Sequence, residues 1–227
     1  MISENLTDLK SIPIGMGKDS LTPCIYNFKT AKGNVIASNE VENCYNFTFN
    51  LLKSFRTLGN IATVLFDFNS EFEGLKPYVN SYCNAEFEKF FDQILQYIDQ
   101  KIANTTYTIM ILVVGIDKFK DSINALKIGE LKKKLKALDN SGIIFIDNGF
   151  NLKKMAFEGW YNELVINTNG IWIGRGVSEQ SVIKMGEFNK KYSAKITNDF
   201  AWYFKNGEGT LIKLINGDEK NEEQSVN

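Results

Sequence analysis

One segment of the sequence has the position and length of a phosphate-binding loop without its chemistry. It follows the apolar run Asn34–Ala37, which is typical of a buried strand, and precedes a segment with helical periodicity. Such a loop needs glycines that let backbone N–H groups surround the phosphates, a lysine that neutralises them, and a hydroxyl that holds Mg²⁺. Serine and asparagine replace the glycines, cysteine replaces the lysine, and tyrosine replaces the Ser or Thr: Ser38, Asn43, Cys44 and Tyr45.

Two carboxylates in this loop make nucleotide binding still less favourable. Glu40 and Glu42 would stand where the phosphates of a nucleotide go. The N-terminus of the following helix favours an anion by only about 1 kcal/mol, which does not offset a missing lysine and two added negative charges. We therefore expect neither ATP nor Mg²⁺ as a cofactor.

A second position where catalytic residues are expected follows the apolar run Ile109–Val114. A working ATPase carries an acidic pair there, an Asp that positions Mg²⁺ and a Glu that activates water. Asp117 stands at the first position, but Lys118 stands at the second and cannot act as a general base when protonated. Ordinary turn chemistry is the favoured interpretation of Asp117. We assign no catalytic residue and no metal ligand.

Short apolar runs alternate with helical segments, which predicts an α/β fold with a mainly parallel central sheet and helices on both faces. The predicted helices are Val41–Leu58, Asn84–Ala103, with Asn84 as the cap, and Ser122–Leu138. In the last of these we expect an inward-facing stripe of Ile123, Leu126, Ile128, Leu131, Leu135 and Leu138. The predicted buried strands are Asn34–Ala37, Ile61–Phe66, Ile109–Val114, Gly142–Ile146 and Ile171–Ile173.

The C-terminal part of the pattern is different. Ala201–Lys205 and Thr210–Ile215 flank an Asn-Gly-Glu-Gly sequence, which predicts a hairpin and an antiparallel edge. Leu21–Phe28 is predicted as another peripheral strand. We interpret residues 12–215 as one domain, residues 1–11 as a linker, and the acidic residues 216–227 as a disordered tail.

Composition excludes several functions. The chain of 227 residues has no histidine, which removes the commonest general base and metal ligand, and its three cysteines lack metal-site spacing. A net charge of −1 is unusual for a protein that grips nucleic acid, and we interpret the run Lys132–Lys134 as a solvated helix face. No apolar run is long enough to insert into a membrane.

Several stretches resemble a known family. Ile12–Pro23 resembles the opening of FtsK/SpoIIIE-type ATPase modules, and Gly170–Ile183 with Asn206–Leu214 resembles the last such module of EssC-type coupling ATPases of type VII secretion. The resemblance implies a RecA-like P-loop NTPase fold in a cytoplasmic domain of a membrane-anchored parent protein, and it allows a hexameric motor in that parent. It also implies partners: small helical WXG100-type secretion substrates and preceding ATPase modules of the same chain.

Recognition of a helical substrate needs exposed apolar or charged anchors. The candidates are Trp160, Tyr161, Trp172 and Arg175. Trp172 is expected to be buried between Ile171 and Ile173, Arg175 is expected in a solvated loop, and both readings stay open for Trp160 and Tyr161. The hypotheses are a non-catalytic recognition domain, a weakly nucleotide-binding module, and a structural domain that caps the motor and sets its oligomeric state.

Overall fold

A computed structural model describes residue 9 and residues 11–29, 32–102, 108–138, 141–187 and 189–215. Within these residues ten strands form one sheet in the order β2-β1-β10-β9-β8-β3-β7-β6-β4-β5. The strands are β1 Ile12–Gly17, β2 Pro23–Tyr26, β3 Gly33–Ser38, β4 Ile61–Asp67, β5 Ser81–Cys83, β6 Thr108–Val114, β7 Ser141–Asn148, β8 Gly170–Ile173, β9 Phe200–Lys205 and β10 Glu208–Leu214.

Six neighbouring strands, from β8 to β5, are parallel. Their continuous apolar sequences fit this arrangement, since both faces of a parallel sheet are covered by helices and no alternation is needed. Every residue of β3 and β6 is buried. The predicted parallel sheet is thus confirmed, and β3 lies inside it between β7 and β8.

Helices cover both faces of the sheet, as predicted. One core layer includes α1 (Tyr45–Leu58) and the 3₁₀ turn Glu73–Tyr78. The opposite layer includes the other five helices, namely α2 Phe87–Ile102, α3 Ile116–Ser122, α4 Ala125–Ala137, α5 Gly149–Lys154 and α6 Gly159–Asn162. Because α1 follows β3 on one face and α5 follows β7 on the other, a crevice opens between their strand ends.

The remaining strands are antiparallel and include the predicted hairpin. β9 and β10 are joined by Asn206 and Gly207, whose φ angles of 53° and 81° give the two-residue turn that suits twisted strands. β2 is an edge strand, as expected of Leu21–Phe28. β1 was not predicted; it pairs with β10 and places the N-terminal part of the chain beside the C-terminal strand.

Two predicted helices are wrong in their details. The second helix begins at Phe87 rather than Asn84. The third is two helices, because α3 ends at Ser122 and Asn124 caps α4 by accepting from the backbone N–H of Leu126. Leu126 therefore does not face inward: it lies in the first turn of α4 with 84% of its surface exposed.

Of the predicted linker, Leu9 is buried in the core and its carbonyl accepts from the N–H of Phe28. Residues 1–8, Lys10 and the predicted tail 216–227 lie outside the described residues. No helix in the described part of the chain is both long and apolar enough to cross a membrane.

Most lysines of α4 form ion pairs, and Lys133 is exposed without one among the described residues. Lys127 contacts Glu88 and Asp92, Lys134 contacts Asp99 and Glu130, and Lys132 lies 2.6 Å from Glu163. Because carboxylates neutralise two of the three lysines of the run, Lys132 and Lys134, it is a poor surface for a nucleic-acid backbone.

Candidate functional site at the carboxyl ends of the parallel strands

The polar side chains of the loop after β3 bond to the protein itself. Ser38 is buried and its hydroxyl donates to the carbonyl of Ile173 at the end of β8, 2.9 Å away. The side-chain amide of Asn43 donates to Ser38 Oγ at 3.2 Å, and Asn198 donates to Asn43 Oδ1 at 2.6 Å. The two residues at the glycine positions thus tie the loop to β8 and to the segment before β9.

The residues at the lysine and hydroxyl positions point into the core layer of α1. Cys44 is fully buried, and burial, with smaller contributions from Asp147 and Glu42, raises the pKa of its thiol far above the ordinary value. It is therefore a neutral group. The ring of Tyr45 packs edge-on against Phe72 with 5.4 Å between centroids. Neither side chain is placed to neutralise a phosphate or hold a metal ion.

The backbone of the loop is also tightly wound. Val41–Cys44 forms a 3₁₀ turn before α1, and the N–H of Asn43 donates to the carbonyl of Glu40 at 3.1 Å. A phosphate-binding loop turns such N–H groups toward its ligand. Here at least one of them is used inside the turn.

A buried aspartate at the end of β7 holds three elements together. Asp147 Oδ2 accepts from the N–H of Ile116 at the start of α3, 2.8 Å away. Its Oδ1 accepts from the N–H of Asn148 and the side chain of Asn151 on α5. Burial raises the pKa of Asp147 above its ordinary value, opposed by these hydrogen bonds.

A second buried aspartate, Asp67, ends β4. Its carboxylate accepts from the N–H groups of Glu71 and Phe72 and from the hydroxyl of Tyr82 at 2.9 Å. Sequence reasoning missed both aspartates, although each follows a continuous apolar run, Ile61–Phe66 or Gly142–Ile146. An Asp at that position marks the carboxyl end of a buried parallel strand.

These carboxylates make the strand ends electronegative. The pKa of Glu71 is raised mainly by burial, against a hydrogen bond from Asn69, and further by the charges of Glu42, Asp67 and Asp147. A nucleotide phosphate would meet this field at the place where the fold usually binds one.

Asp117 and Lys118 open α3 rather than a loop. Asp117 is half-buried, and its carboxylate accepts from the N–H of Lys118 at 2.9 Å, while Lys118 is exposed. Among the described residues, no group of three or more Cys, Asp or Glu side chains is arranged to hold a metal ion.

The structure divides the four recognition candidates. Trp172 is buried and its indole N–H donates to the carbonyl of Arg175, and Tyr161 is buried beside Phe145. Trp160 is half-buried, with its ring 5.9 Å from that of Phe119. Arg175 is exposed, as expected.

Two crevices flank the loop. Arg175 lines one of about 330 Å³ together with Ser38, Asn43 and Asn198. The other, of about 470 Å³, is lined by Phe150 and Lys153 on one side and by Trp172 and Glu179 on the other.

The most exposed aromatic side chains of the described residues were not among the candidates. Phe157 has 91% of its surface exposed and Phe150 has 72%. Both lie in or just after α5, the helix that follows Asp147. The sequence signal was available, since Leu152 and Met155 form the apolar face of a short helix and place Phe150 and Phe157 on the other side.

The strand order, the helices on both faces and the loop between β3 and α1 define the class: an α/β domain with the P-loop ATPase fold. No family model and no curated protein matches the sequence. Solved structures match the fold at low identity. A structure of ATPases 2 and 3 of EssC from Geobacillus thermodenitrificans has a TM-score of 0.75 and 17% identity, over 94% of this chain and 42% of that one.

Two structures of EccC from Thermomonospora curvata have the same fold. The cytoplasmic domain of this type VII secretion ATPase matches with a TM-score of 0.68 and 12% identity, over 92% of this chain and 26% of that one. ATPases 2 and 3 in complex with a signal sequence peptide match with a TM-score of 0.69 and 11% identity, over 93% and 41%. The chain spans less than half the length of each of these structures.

Proposed function

We propose that this chain is a non-catalytic, P-loop-like module of a type VII protein secretion motor, which recognises WXG100-type export substrates and adjoins other ATPase modules. Its parent would be a membrane-anchored, hexameric protein with this module on the cytoplasmic side. The observation that carries the proposal lies in the loop Ser38–Tyr45. The four side chains at its nucleotide-contact positions, Ser38, Asn43, Cys44 and Tyr45, make internal contacts beside buried carboxylates.

Two independent features of the strand ends support a module without nucleotide chemistry. Ser38 and Asn43 close the loop by hydrogen bonds, and Cys44 is a buried neutral thiol. Asp147 and Glu42 add negative charge next to that thiol. Binding a nucleotide would require opening the loop and overcoming this field, with no lysine at the position that usually supplies the compensating charge.

The role in secretion is supported by fold and by precedent for peptide binding. Domains of EssC and EccC share this fold, and the EccC structure contains a bound signal sequence peptide. A module that no longer binds nucleotide can keep the ancestral scaffold for recognition, because function depends on sites placed on a fold rather than on the fold itself.

Nucleotide titration tests the first half of the proposal. Calorimetry with millimolar ATP and Mg²⁺ is expected to show no saturable heat, and the melting temperature should not rise with ATP. An intact P-loop ATPase module serves as the positive control. Saturable binding that is lost in a variant of Asn43 or Cys44 would overturn the non-catalytic assignment.

Substrate capture tests the second half. The immobilised chain, alone and joined to its preceding ATPase module, should retain WXG100-type substrates but not an unrelated small helical protein of similar charge. Retention should disappear when the C-terminal segment of the substrate is removed. If neither form of the motor domain retains any such substrate, the recognition role is wrong.

A further inference from the structure

A short helical segment after β7 exposes an unusual face. Asn148 caps α5 by accepting from the N–H of Asn151, and the 3₁₀ turn Met155–Phe157 continues the helix. With 3.6 residues per turn, Leu152 and Met155 share the side that packs into the core. The opposite side carries Phe150, Lys153, Lys154 and Phe157, and we call these four residues the α5 face.

The two phenylalanines of the α5 face are mostly exposed to solvent. They are separated by two helical turns, which places them about 10 Å apart along the axis. An exposed phenylalanine gains free energy when a partner removes it from water, so two of them on one surface are apolar anchors for a partner.

The charge between the phenylalanines is positive and unneutralised. Lys153 and Lys154 are exposed, and in the described part of the chain neither forms an ion pair, unlike most lysines of α4. Lys154 lies 4.4 Å from the ring centroid of Phe150 and 3.2 Å from Asn151 Oδ1. The face therefore combines two apolar anchors with two available cations.

We propose that the α5 face is the docking surface for an acidic amphipathic helix of the export substrate, an inference that rests on the proposed function. The complementary helix presents two apolar side chains seven positions apart, which contact Phe150 and Phe157. Carboxylates three or four positions after the first apolar side chain pair with Lys153 and Lys154. The crevice beside Phe150 and Lys153 gives the end of that helix room to continue toward Trp172.

A peptide fits this surface better than a lipid bilayer. The apolar face is only two side chains long, and the carboxylates near it are Glu179, which lines the adjoining crevice, and Glu158, which lies just beyond Phe157 and is paired with Lys120 at 2.6 Å. These carboxylates would be brought toward anionic headgroups if the face lay on a membrane. A protein helix can avoid them by its own sequence.

Binding of a designed peptide tests the chemistry of the surface. The probe is a fluorescent helical peptide with leucines at seven-residue spacing and glutamates between them, and its twin carries lysines instead of the glutamates. The full chain should bind the acidic peptide at least 10-fold more tightly than the twin. Phe150→Ala with Phe157→Ala should weaken binding at least 10-fold, and Lys153→Glu with Lys154→Glu should reverse the preference between the twins.

Leu126→Ala is the matched control, because Leu126 is a comparably exposed apolar residue on a different helix. It should leave peptide affinity unchanged. Equal binding of both twins, no binding of either, or a loss with Leu126→Ala as large as that of the phenylalanine variants would overturn the proposed surface. One further outcome would overturn it: anionic phosphatidylserine vesicles bind the chain through Phe150 and Phe157, and the acidic peptide does not bind.

Photocrosslinking separates this inference from the proposed function. A photoreactive phenylalanine analogue at position 157 should crosslink to a WXG100-type substrate, whereas the same analogue at position 126 should not. Substrate retention without crosslinking from position 157 would leave the recognition role standing and refute the α5 face. Failure of retention itself would refute the recognition role.

Discussion

The loops that follow β3 and β7 start side by side, since Ser38 and Asn148 are paired across the two strands. After β3, the polar groups of Ser38 and Asn43 turn inward and bond to neighbouring elements. After β7, Asn148 begins a helix whose outer side leaves Phe150 and Phe157 in solvent. Two neighbouring loops at one sheet edge therefore differ. In the first, Ser38 and Asn43 bond to the protein itself, and in the second, two phenylalanines and two lysines face solvent.

This difference shows that two loops at one edge of the same sheet can serve different purposes. The sheet and crossovers place loops at the same edge whatever the loops contain. When the first loop is filled by its own side chains, the neighbouring loop still projects from a rigid strand. The following variants measure how much the internal contacts of the first loop stabilise the fold, and whether the α5 face can be changed without loss of stability.

The largest effect is expected from returning a lysine to the closed loop. Cys44→Lys places an amine in a fully buried position, where we expect desolvation to outweigh the nearby charges of Asp147 and Glu42 and to keep the amine neutral. Holding a lysine neutral at pH 7 costs about 4–5 kcal/mol of the free energy of unfolding. Urea titrations should show this loss, and the deficit should shrink by about 1.4 kcal/mol for each pH unit above 7, because the unfolded chain alone binds the proton.

Cys44→Ala is the control for the lost thiol and should cost much less. Cys44→Lys should also fail to bind ATP, since the carboxylates of Asp147 and Glu42 remain. A stable Cys44→Lys protein that binds ATP would show that the loop opens readily, and the contrast between the two sites would disappear.

The next effect is expected at Asp147. Asp147→Ala leaves the buried N–H of Ile116 without its acceptor and releases Asn151 of α5, which should cost about 2–4 kcal/mol. Asp117→Ala, at the neighbouring half-buried aspartate, should cost less than 1 kcal/mol. Chemical denaturation of both variants checks this order, and equal losses would mean that Asp147 has no special structural role.

Stability against pH gives a further test at Asp147. Its pKa is raised in the folded state, so the folded chain binds a proton before the unfolded chain does as pH falls. The advantage of the wild type over Asp147→Ala should therefore be constant above the folded pKa and should grow as pH falls from the folded pKa toward the unfolded pKa near 3.8. An advantage that shrinks on acidification would contradict the assigned direction.

A smaller effect is expected at Asn43. Asn43→Ala removes its bonds to Ser38 and Asn198, at a cost of about 1–2 kcal/mol. Asn39→Ala, on an exposed side chain of the same loop, should be within 0.5 kcal/mol of the wild type. Hydrogen exchange should also rise at the start of α1 in Asn43→Ala only; if both variants behave alike, the loop is not held by Asn43.

The sheet was readable from the sequence because its signal is local. Continuous apolar runs such as Ile109–Val114 mark buried parallel strands, and Asn206-Gly207 fixes the hairpin. The boundary at Ser122–Ala125 was missed because apolar periodicity runs through Ile123 and Leu126, while the Asn124 cap, which ends that continuity, was not weighed.

Only part of the candidate site could be predicted from the sequence, because its contacts join residues that are distant in the chain. Missing residue types at Ser38–Tyr45 are visible in a sequence, but their hydrogen bonds to Ile173 and Asn198 join positions far apart in the chain. The same holds for Asp147, whose partner Ile116 lies on another element. Trp160 and Tyr161 were weighed by residue type, whereas exposure depends on packing against Phe119 and Phe145.

The smallest effect on stability is expected at the α5 face. Phe150→Ala and Phe157→Ala should each change the free energy of unfolding by less than about 0.5 kcal/mol, because both side chains are mostly in water already. Trp172→Ala, beside the same crevice but buried, should cost about 3–5 kcal/mol. In the phenylalanine variants the free energy of unfolding should stay close to that of the wild type, whereas substrate retention should be lost. A loss of more than about 1 kcal/mol in either would mean that these rings support the fold, and reduced retention could then not be assigned to a lost docking surface.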